Sequence, residues 1–97
     1  MIRHVVLFRF RSEASEAQRR ALLDELRSFP SQHPAMRRFA LGENRSKRDQ
    51  TFPLAMHIEF ADWASLDAYL ESCTHEAFVR ERFAPLIEQR AIASIED

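Results

Sequence analysis

Several residue types are scarce in this chain: its 97 residues include one glycine, one cysteine, one tyrosine and one tryptophan. With Gly42 alone, there is no Gly-rich loop to cradle a phosphate and no Gly-rich linker between domains. Cys73, equally alone, excludes an internal disulfide and so permits a reducing compartment. No apolar run approaches the ~20 residues of a membrane span. Met1–Phe10 breaks its apolar residues with Arg3, His4 and Arg9, unlike the continuous apolar stretch of a secretion signal. Neither charge is in excess, since 14 Lys+Arg face 15 Asp+Glu for a formal net charge of −1. Nothing therefore draws the whole surface toward nucleic acid or anionic lipid. The chain reads as cytoplasmic, with neither nucleic acid nor a membrane as partner. What is present is an ordinary globular composition, 45% hydrophobic and 30% charged, which implies one domain over residues 1–97. A chain of this size buries roughly 60–70% of the surface its unfolded form exposes, so stability margins are thin and a second copy would help.

Apolar spacing divides the chain into successive elements. Ile2–Phe10 places Ile2, His4, Val6, Phe8 and Phe10 on one side and Arg3, Val5, Leu7 and Arg9 on the other, a strand with two partly apolar faces. Ser15 precedes Gln18 by the spacing of a capping box, and Ala21, Leu22, Leu26 and Phe29 recur at helical intervals. A helix over about Glu16–Phe29 follows, stopped by Pro30. Beyond the turn-prone Pro30–Pro34 stretch, Met36–Glu43 reads as a second strand. Asn44–Phe52 is polar, charged and aperiodic, a mobile excursion too long for a tight hairpin. Its Arg45, Lys47 and Arg48 are offset by Glu43 and Asp49 and make no nucleic-acid footprint.

The second half is clearer. Leu54–Ala61 alternates strictly, Leu54, Met56, Ile58 and Phe60 opposing Ala55, His57, Glu59 and Ala61. Asp62 can cap a helix that ends near Glu71 and carries Trp63, Leu66, Tyr69 and Leu70 on one stripe. Thr74 can cap a further helical stretch to about Pro85, with Phe78, Arg82, Phe83 and Leu86 on its face. Arg90–Ile95 closes the chain as a short strand. Trp63, Phe78 and Phe83 recur at helical spacing and read as core, not as a base-stacking platform.

The order β-α-β-β-α-β is the split βαβ arrangement of a ferredoxin-like α+β fold, a four-stranded antiparallel sheet with its helices on one face. Ile2, Val6 and Phe8, with Leu54, Met56, Ile58 and Phe60, should face the helices. The open side then receives Val5, Leu7, Ala55, either Phe39 or Leu41, and Ile92. A contiguous apolar face of that extent is unusual on a soluble monomer. A second identical sheet laid against it would cover both. The expected partner is thus the chain itself, in a two-fold homodimer whose sheets close into an α/β barrel.

The opening MIRHVVLFRF, the turn and strand HPAMRRFALGEN, the pair DAYLESCTHEAF and the ending RAIASIED together resemble the dimeric α/β-barrel stress-responsive domain family, known as Dabb. The resemblance covers nearly the whole chain and implies a ferredoxin-like subunit in a homodimeric barrel. Members of the family include stress-associated proteins of unassigned activity, and a plant polyketide cyclase that closes a linear polyketide by aldol-type C–C bond formation. By this resemblance the cyclase's catalytic histidine and tyrosine fall on His75 and Tyr69, and its N-terminal strand histidine on His4. Two positions depart from the pattern. Ser72-Cys73 stands where the family often has His-Pro before the second histidine, and Leu26 stands at the cyclase's helix-one tyrosine.

The residues themselves allow such chemistry. His4 on the helix-facing side of the first strand, Tyr69 on a buried stripe and His75 after a short break could line one cavity between sheet and helices. A histidine titrating near neutrality can remove a proton from carbon between two carbonyls, while a phenol or second imidazole stabilises the enolate oxygen. His75 would be the base and Tyr69 the orienter or proton donor. The same residues have an architectural reading: Tyr69 packed in the core with its hydroxyl at the rim, His75 supporting the following turn, His4 hydrogen-bonded to a neighbour. His57 should point from the open face into the barrel between subunits, beside Ala55 and Glu59, where a polar lining could hold water or a small ligand. No HxxxH or HxH spacing exists, and His4, His57 and His75 come from separate elements and both sheet faces, so no metal is expected. Cys73 has no second thiol to resolve an oxidised form and reads as a bystander.

The functional expectation is a stress-associated homodimer that binds a small hydrophobic molecule and needs no cofactor. One rival is a cofactor-free cyclase or isomerase acting through His75 and Tyr69 on a β-dicarbonyl. Another is a haem-handling oxygenase, a chemistry that similar ferredoxin-like dimers perform, although no ligand histidine is singled out for it.

Overall fold

A computed structural model describes every residue from Met1 to Asp97. Its four strands, β1 (Ile2–Phe10), β2 (Arg38–Glu43), β3 (Leu54–Phe60) and β4 (Ile87–Glu96), form one antiparallel sheet in the order β2-β3-β1-β4. β3 thus inserts between β1 and β2, as the split βαβ connection of a ferredoxin-like fold requires. The register follows from matching apolar rows across neighbouring strands, since a one-residue slip would turn every side chain over. Ile2, His4, Val6 and Phe8 stand opposite Phe60, Ile58, Met56 and Leu54. All of these except Leu54 are buried.

The helical elements are α1 (Glu16–Arg27), α2 (Phe29–Gln32), α3 (Trp63–Glu71) and α4 (Cys73–Phe78), followed by a π-helical turn at Val79–Phe83 and a 3-10 turn at Ala84–Leu86. Ser15 and Gln18 form the expected capping box at the start of α1. Asp62 caps α3 through the Ser65 amide at 2.8 Å. Leu22 and Leu26 of α1, Phe29 of α2, Leu66 and Tyr69 of α3, Phe78 of α4 and Phe83 join the β1 and β3 rows in one core. Every helical element therefore packs on the same side of the sheet.

The structure differs from the sequence reading at several places, each with a local cause. The first helix ends at Arg27 rather than Phe29, because the Ser28 amide turns back to the Glu25 and Leu26 carbonyls. Pro30 then sits in the first turn of α2, where the missing N–H costs nothing, so it starts a helical turn instead of stopping one. The cap of α4 is Ser72, whose hydroxyl accepts the His75 amide at 3.1 Å, not Thr74, which lies inside the helix. Phe39 and Leu41 both face the helices, paired with Ile58 and Met56, and leave Arg38, Ala40 and Gly42 on the open side. Ile92 pairs with Val6 and so also faces the helices. Trp63 is 42% exposed, its indole N–H donating to Glu96 at 2.9 Å, rather than part of the core. Asn44–Phe52 is folded upon itself: the Asn44 side-chain amide donates to the Asp49 and Phe52 carbonyls at 3.0 and 2.9 Å. β4 extends beyond Arg90–Ile95 in both directions because pairing with β1 holds it, not side-chain alternation. Strand β2 begins two residues late, at Arg38.

The open face carries Val5 and Leu7 of β1, Ala55 and His57 of β3, Ala40 of β2, and Ala91 and Ala93 of β4. Ion pairs bound it at either end: Arg3 with Glu59 at 2.8 Å, and Arg9 with Glu88 at 2.8 Å. Its centre is low and apolar.

If the covered face is packed as described, Ile58→Ala should lower the unfolding free energy by about 2–5 kcal/mol, whereas loss of the exposed cap in Ser15→Ala should cost about 1 kcal/mol. Urea denaturation measures both. Equal costs for the two variants would contradict this packing.

Candidate functional site

Alternation in β1 carries His4 into the same row as Ile2, Val6 and Phe8, where it is 3% exposed. Its Nδ1 shares a 2.8 Å hydrogen bond with the hydroxyl of Ser94, its register partner on β4. Tyr69 arrives from α3 and is likewise buried. The break at Ser72 then redirects the chain so that His75, in the first turn of α4, returns against Tyr69 with ring centroids 4.6 Å apart. His4, Tyr69 and His75 line one cavity of about 130 Å³, whose other walls include Val6, Leu26, Met56 and Ile92. The structure thus brings together three of the four expected residues. His57 is not among them: it pairs with Val5 and Ala40 on the opposite face of the sheet.

His33 is the residue that sequence reasoning missed. It lies just beyond α2, ring centroid 5.0 Å from Tyr69 and nearly perpendicular to it, and 5.4 Å from Phe29. Phe29 and His33 stand four apart, and extending the helical spacing through Pro30 would have found them. The Nε2 atom of His33 is buried without a hydrogen-bond partner. The surrounding aromatic faces offer it only weak N–H···π contact. On its far side Tyr69 borders a shallow surface groove with His33, Asp62 and Ser72, so the phenol divides the cavity from that groove.

The tautomer of His75 follows from its partner. The Leu70 carbonyl, 3.2 Å from Nδ1, can only accept, so Nδ1 carries the proton and Nε2 keeps the free lone pair. Burial pushes His75 below its ordinary value of 6.5. The Leu70 carbonyl and Glu76 pull it back, while His33 adds to the depression. His4 is lowered by burial first and by the charge of His75 second, and His33 by burial alone. Tyr69 moves the other way, its hydroxyl held protonated by burial. No Asp or Glu lines the cavity to stabilise an imidazolium. Neutral imidazoles beside a protonated phenol can accept a proton and donate a hydrogen bond at adjacent points, in surroundings lined mostly by apolar side chains. No three His, Cys, Asp or Glu side chains converge as a metal site would need.

The family model of the stress responsive A/B barrel domain, Dabb, matches residues 2–97. No curated protein matches the chain by sequence. Among solved structures, a Dabb family protein with a ferredoxin-like fold from Mesorhizobium loti is 24% identical at a TM-score of 0.87, over 99% of this chain and 95% of that one. The hydroxynitrile lyase of Passiflora edulis is 21% identical at a TM-score of 0.87, over 97% and 90%. A dimeric ferredoxin-like protein of unknown function from Thermobifida fusca is 21% identical at a TM-score of 0.82, over 99% and 90%. Likeness at these identities establishes the fold, while activity has to be argued from the site.

The three depressed histidines set a pH dependence. An unfolded chain binds protons at these positions as pH falls through the ordinary 6.5, before the folded chain does, so stability declines with falling pH. The urea midpoint should therefore fall between about pH 7 and pH 5, above the range where most carboxylates titrate. It should fall less in His4→Gln. A midpoint constant across that window would contradict the burial described.

Proposed function

This chain belongs to the stress responsive A/B barrel domain family, Dabb, and from that premise we propose that it is a cytoplasmic homodimer whose subunits each bind one small hydrophobic molecule between sheet and helices. The observation that carries the reading is the cavity: about 130 Å³, with ten of its thirteen lining residues hydrophobic, Tyr69 counted among them. Apolar enclosures of roughly 150 Å³ take up benzene, so the expected ligand has about one ring, or a short branched chain, in its buried part. His4, Tyr69 and His75 supply the few polar points that orient such a ligand. The dimer is supported by the open apolar face and by the dimeric neighbour from Thermobifida fusca. A cytoplasmic place agrees with the one unpaired cysteine and with the lack of any helix long and apolar enough to cross a membrane. His57 would lie at the dimer seam, where its imidazole could hold water or a small polar ligand.

A second reading is favoured by the fixed tautomer of His75. With Nδ1–H given to Leu70, Nε2 can take a proton from carbon adjacent to a carbonyl, and the resulting enolate oxygen can accept a hydrogen bond from Tyr69. That is a cofactor-free lyase, cyclase or isomerase, with His75 as base and Tyr69 as orienter. The hydroxynitrile lyase neighbour demonstrates that this fold hosts a lyase.

Native mass spectrometry of the purified protein should reveal a co-purifying small molecule. A one-ring probe such as benzyl alcohol should shift the methyl resonances of Val6, Leu26 and Met56. Ile92→Trp, which fills the mouth from a half-exposed position, should abolish those shifts. Shifts that persist unchanged in Ile92→Trp would place the ligand elsewhere and overturn the reading. If the chain turns over a β-dicarbonyl, His75→Ala should remove turnover by about a hundredfold or more, the usual contribution of general base catalysis.

A further inference from the structure

We propose that the molecule held in the cavity is a monoanion, a small carboxylate with an apolar body, and that Arg90 is the residue that selects it. This rests on the reading of the cavity as a ligand site and names the class of ligand.

Arg90 is the one permanently charged side chain among the residues lining the cavity, and no Asp or Glu lines it. The register explains its place. Arg90 stands opposite Phe8, two residues before Ile92 and four before Ser94, the partner of His4, so all three β4 side chains share the helix-facing side of the strand. Other arginines of the sheet have acidic partners: Arg3 meets Asp97 at 2.9 Å and Arg9 meets Glu88 at 2.8 Å. Arg90 has none. Its strand neighbours are Gln89 and Ala91, its cross-strand partner is Phe8, and Glu88 is held by Arg9. An unpaired guanidinium at the margin of an apolar enclosure offers a planar fork whose geometry matches a carboxylate in two hydrogen bonds.

Charge count narrows the class further. His4, buried, and His75, half-buried, are both held below the ordinary imidazole range, so at pH 7.5 a second negative charge on the ligand, as on a phosphate monoester, would find no second cation. The enclosure admits about one ring. A carboxylate held at Arg90 would therefore leave the ring among Val6, Met56 and Phe78, beside the two imidazoles and the phenol.

Benzoate, its neutral counterpart benzamide and the dianion phenyl phosphate test this at pH 7.5, with binding read by titration calorimetry and located by the methyl resonances of Val6 and Met56. Benzoate should bind roughly tenfold more tightly than benzamide, the usual increment of a charge-assisted hydrogen bond. Arg90→Gln should erase that difference by weakening benzoate alone, and Arg90→Lys should restore only part of it. High salt should weaken benzoate and spare benzamide. Because Arg90 is exposed, both variants should keep the urea midpoint of the parent chain. Equal affinities for benzoate and benzamide, or equal losses of both in Arg90→Gln, would overturn the selection of an anion and leave the cavity reading standing. Phenyl phosphate binding more tightly than benzoate would overturn the monoanion. If neither one-ring probe reaches the cavity, the ligand-site reading fails and this proposal fails with it.

Discussion

All helical cover in this molecule lies on one side of a four-stranded sheet, and that one-sidedness dictates what each strand residue must be. On the covered side, β1 and β3 present an almost unbroken apolar row whose members from Ile2 to Phe8 and from Met56 to Phe60 are 0–6% exposed. On the other side, alanines alternate with Val5, Leu7 and His57, and ion pairs gather at the ends. The two faces therefore have different tasks. One builds the core and the cavity, and the other has no cover within the chain.

The covered side is also where the chemistry sits. His4 occupies a position that alternation reserves for core residues, and its neighbours Ile2, Val6 and Ile58 cannot stabilise a charge. Tyr69 and His75 reach it because a single serine, Ser72, ends one helix and caps the next. Burial then acts in opposite directions on acid and base, keeping the phenol protonated and the imidazoles neutral. β4 departs from the pattern: its helix-facing Arg90 and Ile92 are exposed and yet line the cavity, so they mark its mouth.

Much of this was legible in the sequence wherever a single periodicity decided the outcome. The strict alternation of Leu54–Phe60, the capping box at Ser15 and Gln18, and the placement of His4 inward and His57 outward all follow from spacing alone. The inward row of β1 and the buried stripe of α3 likewise set His4 and Tyr69 toward one cavity, whereas His75, which follows the break at Ser72, was singled out by the family resemblance. What escaped was decided by pairing between distant segments. Phe39 and Leu41 share a parity that could face either way until β3 fixes the register. Ile92 alternates with Ala91 and Ala93 in a strand exposed on both sides, where hydrophobicity carries no direction. His33 was hidden by Pro30, which looks like a helix stop in sequence and serves as a helix start in space.

A surface centred on Val5, Leu7, Ala55 and Ala93 has no cover within the chain, and an identical copy laid on it would complete it. Sedimentation equilibrium decides the matter. Particles of twice the 11.4 kDa chain mass are expected, dissociating to single chains when Ala93→Arg places a charge in the middle of that face. Single chains of the unaltered protein at micromolar concentration, or a dimer indifferent to Ala93→Arg, would contradict it.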